Sequence, residues 1–70
     1  MNLTITQIIL LLKVFGGQTT ISTQKEERDL EILISRDLTI IELNNEQLRD
    51  IKVSEKGYEI VKRILKSTEM

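Results

Sequence analysis

The sequence predicts a small α+β domain in the order helix, short strand, helix, strand, turn, strand, helix, and three observations carry that expectation. Apolar residues recur at spacings of three and four in three separate stretches, the period of one helix face. Two runs that read as strands, Leu38–Leu43 (LTIIEL) and Leu48–Val53, lie on either side of the pair Asn44-Asn45. A strand-like run, Ile51 and Val53 alternating with polar residues, passes into a helical one through Ser54-Glu55-Lys56-Gly57.

The first helix is expected from about Thr4 to Phe15, stopping at Gly16-Gly17, where glycine can take the left-handed conformation that ends helices. It carries two apolar stripes. Ile5, Ile8, Ile9, Leu12 and Phe15 form one, and Leu10, Leu11 and Val14 form a second on a different side. A helix apolar on two sides must be covered on two sides. The first stripe is assigned to the domain's own core. Leu10, Leu11 and Val14 are assigned to a homodimer interface, the competing reading being that Ile60 and Ile64 of the last helix cover them within one chain.

Gln18–Ser22 (QTTIS) is β-branched and reads as a brief strand. Thr23 and Glu26 then match the reciprocal capping box, in which the hydroxyl accepts from the third helical N–H and the carboxylate reaches back. Leu30, Leu33 and Ile34 give the second helix its apolar face, and it ends near Arg36-Asp37. Asn44-Asn45 tolerates positive φ and makes a hairpin turn between the two strands. Ser54 is placed to cap the last helix, whose face is Tyr58, Val61, Ile64 and Leu65. Gly57 falls in its first turn, an expensive residue there unless something approaches closely.

Composition bounds the function. Seventy residues make one domain, residues 1–70, that buries about 60% of its unfolded surface, so extra stabilisation is expected. With no cysteine and no histidine, disulfides are excluded and only carboxylates remain as metal ligands, which directs attention to self-association. The aliphatic run Ile8–Leu12 is too short to span a bilayer, which takes about 20 residues, and it lacks the flanks of a signal peptide. A soluble, cytoplasmic chain without membrane contact is expected. There is no glycine-rich phosphate loop and no Gly-x-Ser-x-Gly elbow, so an enzyme is not expected, nor a cofactor or a metal.

The segment from Leu30 to Lys66 resembles the second half of a winged helix-turn-helix domain. Val53-Ser54-Glu55-Lys56-Gly57-Tyr58-Glu59-Ile60-Val61 is similar to the junction that follows the wing in MarR-like and PadR-like regulators. The resemblance implies a DNA-binding transcriptional regulator, with QTTIS padding the wing. It departs from the family between Gly17 and Leu38, where about twenty residues show one helical pattern in place of two helices. Either the middle helix is reduced to a turn around Thr20 to Gln24, or the arrangement differs.

On the resemblance, double-stranded DNA is met by Gln24, Lys25 and Arg28 at the start of the second helix and by Asn45, Gln47, Arg49 and Lys52 on the hairpin. The charge map is uneven around a net charge of −1: Arg49–Lys66 sums to +3 and Lys25–Glu46 to −4. The helix expected to read a groove therefore lies in the most acidic segment, whose carboxylates oppose phosphate contact. The alternative expectation is a protein-interaction adaptor on the same scaffold, meeting a protein partner such as transcription machinery through that acidic helix. So compact a chain would suit a phage or other mobile element.

Overall fold

In the computed structural model, which describes residues 3–43 and 49–68, three helices surround a two-stranded antiparallel sheet. The elements are α1 (Ile5–Phe15), α2 (Gln24–Ser35), β1 (Thr39–Leu43), β2 (Arg49–Val53) and α3 (Glu55–Thr68). The α+β class and the order of helices and strands agree with the sequence expectation and are compatible with a small winged-helix-like fold. Thr39 faces Val53, Ile41 faces Ile51 and Leu43 faces Arg49 across the ladder. The turn expected at Asn44-Asn45 lies outside the described residues.

Each helix begins on a hydroxyl. Thr4 accepts from the Gln7 N–H at 3.3 Å while the Gln7 side chain accepts from the Thr4 N–H at 3.0 Å, a complete capping box that also satisfies the buried Gln7. Thr23 accepts from the Glu26 N–H at 3.1 Å. The return half of that second box is shifted by one residue, because Glu26 accepts from the Ser22 N–H at 3.0 Å. Ser54 accepts from the Gly57 N–H at 3.0 Å, as its position predicts.

The first two helices end alike. At α1, Gly17 has φ +117°, and the N–H groups of Gly17 and Gln18 return to the carbonyls of Val14 and Lys13. At α2, Asp37 has φ +60°, and the N–H groups of Asp37 and Leu38 return to Ile34 and Leu33. Both are the two-bond left-handed termination, and the second brings Leu38 against Leu33, both without exposed surface. That contact turns the chain from α2 into the hairpin, and for this reason β1 starts at Thr39 instead of Leu38.

The core is Leu10, Leu11 and Val14 of α1, Leu30 and Leu33 of α2, Leu38, Ile51 of β2, and Val61 of α3. This corrects the expectation for α1. Leu10, Leu11 and Val14 are buried by their own chain and are not surface for a second copy, whereas Ile5, Ile9 and Phe15 of the other stripe are exposed. The inner face begins with Gln7, so it is one turn longer than its aliphatic residues alone.

Two further expectations are corrected. Among the described residues no strand forms at Gln18–Ser22; one backbone bond, from the Ile51 N–H to the Thr19 carbonyl at 3.0 Å, ties this segment to β2. On α3 the buried face is Gly57 and Val61, with Ile60 packed against the core, while Tyr58 and Leu65 stand 47% and 42% exposed. Gly57 decides that rotation. A Cβ there would lie 2.0 Å from the Leu38 oxygen, so α3 sits against the entry to the hairpin with its glycine inward.

Candidate nucleic-acid interface

The exposed side of α2 follows from its helical period: with Leu30 and Leu33 inward, Gln24, Glu27, Arg28 and Glu31 line one shallow surface. Lys25 leaves that surface to meet the buried Asp29 at 3.4 Å. Arg28 carries no ion pair among the described residues, and neither do Glu27 and Glu31. Gln24 is exposed beside them. Of the three α2 residues assigned to DNA, one cation is thus committed to a carboxylate and the other stands between two.

On the hairpin, Asn45 and Gln47 lie outside the described residues, as does the side chain of Arg49. Lys52 lies beside Ile40 on the adjacent strand and contacts Glu42 at 2.8 Å. The hydrogen bond that Lys52 donates to Glu42, then the charge of that carboxylate, hold the Lys52 ammonium above its usual range. The pair is half-exposed and screened, so it is weak and open to exchange for a phosphate.

The cations that the sequence reading left unassigned lie on α3. Lys56, Lys62, Arg63 and Lys66 are all exposed, against Glu55 and Glu59 on the same helix. Lys62 is 3.3 Å from Glu59 and 5.0 Å from the centre of the Tyr58 ring, itself tilted against Phe15 at 5.6 Å. Lys56, Arg63 and Lys66 have no ion pair among the described residues. Their signal was present in the sequence as the cations left between the inward positions Gly57 and Val61 and the half-buried Ile64. It became assignable once the rotation of α3 was fixed by Gly57.

Glu26 is held differently. It accepts from the N–H and hydroxyl of Ser22 and meets Lys13 of α1 at 3.3 Å, so it ties the start of α2 to α1. The Ser22 N–H is the main reason its carboxyl lies below the usual glutamate value; burial opposes this, and Lys13 adds to it.

An apolar groove of about 360 Å³ lies between the 19–21 segment, α2 and the inner face of the hairpin. Leu30, Ile34, Ile41 and Ile51 form its apolar wall, with Glu27 and Glu31 at its edge. Among the described residues no group of three His, Cys, Asp or Glu is arranged to hold a metal, and no helix is long and apolar enough to cross a membrane. The surface therefore offers exposed cations, an acidic helix face and an apolar groove. Comparison with known proteins adds nothing to this inventory: no family model, curated protein or solved structure matches the chain.

Proposed function

We propose that this chain is a small winged-helix-like DNA-binding protein acting as a transcriptional regulator, with its phosphate contacts on the hairpin and α3. One observation carries the reading. The hairpin is clamped between the end of α2 and the start of α3 at Leu38, Ser54 and Gly57, next to exposed cations that have no ion pair among the described residues. Lys56 stands at that junction, Arg63 lies two turns further along α3, and Lys52 on β2 is held only by an exchangeable surface pair. Arg28 is the α2 residue in the reading that supplies a positive charge with no ion pair among the described residues. Such contacts favour duplex backbone over base edges, so affinity falls with salt and varies little with sequence.

The test is a salt series of binding to an unspecific duplex, followed by fluorescence anisotropy. Lys52→Ala with Lys56→Ala lowers affinity for every duplex, and loss of two phosphate contacts reduces the salt slope by about 2. Absence of binding at low salt would remove this reading. Glu27 and Glu31, which have no ion pair among the described residues, lie beside the apolar groove and favour a second one, a protein-interaction adaptor that meets its partner through α2. In that case heparin does not retain the chain, and Glu27→Lys with Glu31→Lys abolishes partner binding.

A further inference from the structure

Two helical turns of this chain carry exposed charges of opposite sign at the same spacing. Glu27 and Glu31 are four residues apart on α2, at the edge of the apolar groove, and neither has an ion pair among the described residues. Lys62 and Lys66 are four residues apart on α3, both exposed. Side chains four apart point the same way on a helix, so each pair presents its charges one turn apart on one face. Lys66 has no ion pair among the described residues, and Lys62 is held by the exposed Glu59 and lies over the exposed Tyr58 ring. Such a surface pair exchanges readily for a better-placed partner.

Apolar surface accompanies both pairs. The groove beside Glu27 and Glu31 has a wall of Leu30, Ile34, Ile41 and Ile51, and Ile41 is 41% exposed there. Tyr58 and Leu65 lie at spacings of four and three from Lys62, on the same side of α3, and both are exposed. Within one molecule α3 packs on α1 and β2, and among the described residues none from α3 lines the groove.

We infer that the groove is filled by α3 of a second copy of this chain. Leu65 enters the apolar groove of the neighbouring molecule, and Lys62 and Lys66 align with its Glu31 and Glu27. The second copy is the occupant because one chain carries both halves, matched in charge and in spacing. If a two-fold axis makes the contact reciprocal, the assembly closes as a dimer; otherwise it grows as an open chain with concentration. This self-association goes beyond the DNA-binding reading and replaces the α1 surface as its route.

A charge-swap experiment tests it by sedimentation equilibrium. The wild type moves from the monomer mass of 8.1 kDa towards at least twice that value as concentration rises. Glu27→Lys with Glu31→Lys, and separately Lys62→Glu with Lys66→Glu, each raise the dissociation constant at least about tenfold by setting like charges opposite one another. An equimolar mixture of the two variants associates again, since each restores the opposite signs for the other. Circular dichroism verifies that both variants remain folded, as expected for exposed positions. A monomeric wild type at high micromolar concentration overturns the proposal, as do variants that associate like the wild type or a mixture that fails to re-associate. A wild type that associates without binding DNA leaves this inference standing and removes the DNA-binding one; the reverse result does the opposite.

Discussion

Gly57 lies so close to Leu38 that a Cβ would stand 2.0 Å from the Leu38 carbonyl oxygen and 2.9 Å from its carbon. The obstacle is backbone, fixed by the termination of α2 and by the Ser54 N–H, which donates to the same carbonyl at 3.0 Å. An alanine in an unobstructed helix stabilises by roughly 0.5–1 kcal/mol relative to glycine. Here overpacking, typically about 1–3 kcal/mol, outweighs that gain. Gly57→Ala therefore lowers the melting temperature and Gly57→Leu lowers it further or prevents folding. Thermal melts in which both variants are stabilised would contradict the close contact.

Leu11 has no exposed surface and sits among Leu10, Val14 and the core residues of the other elements. Leu11→Ala is expected to cost about 2–5 kcal/mol, through lost burial and the cavity left behind. Leu11→Glu gives an unfolded chain, because a lone carboxylate finds no partner in that core. Circular dichroism distinguishes this from a folded monomer, the outcome if Leu11 were surface.

The elements were legible because their signals are local. Thr23 and Ser54 mark helix starts with side chains that reach three residues ahead, Gly16-Gly17 marks an end, and Gly57 advertises a close approach by its cost. The inner side of α1 was not legible. Eight of its eleven positions are apolar, and the polar Gln7 stands on the buried face because its side chain completes the Thr4 cap. The QTTIS segment has strand composition, yet pairing depends on a distant partner, and β2 offers it the Ile51 N–H. Tyr58 and Leu65 fit a helical stripe by spacing, but Gly57 fixed the rotation that turns them outward. The candidate cations on α3 depended on that same rotation.

Thr39 is 1% exposed and its hydroxyl has no hydrogen-bond partner among the described residues. A buried, unsatisfied polar group costs about 1–3 kcal/mol. Thr39→Val keeps the shape and the β-branching while removing that group, so it raises stability by about 1 kcal/mol. Chemical denaturation measures this directly, and a destabilised valine variant would mean that the hydroxyl is satisfied.

Acid lability has an identifiable contributor in Glu26. Its carboxyl is lowered from the ordinary value of 4.5, chiefly by the Ser22 N–H. A carboxylate lowered in the folded state stabilises fully above its unfolded value, and that contribution is lost as pH falls through the folded value. Glu26→Gln is accordingly less stable than the wild type at neutral pH, by about 1 kcal/mol for a lost charge-assisted hydrogen bond. The difference narrows below pH 4.5, which denaturant titrations on either side of that value detect. A gap that stays constant with pH would remove Glu26 from the account.

The most direct test of the DNA-binding reading is a titration of the isotopically labelled chain with a short duplex, followed through its backbone amide resonances. The account predicts that amides of Asp50–Lys52 and of Lys56 and Arg63 move progressively at low salt and return when salt is raised. The acidic stretch from Glu26 to Glu31 moves least, apart from Arg28. An unchanged spectrum, or changes confined to Glu27, Glu31 and the groove beside them, would contradict it.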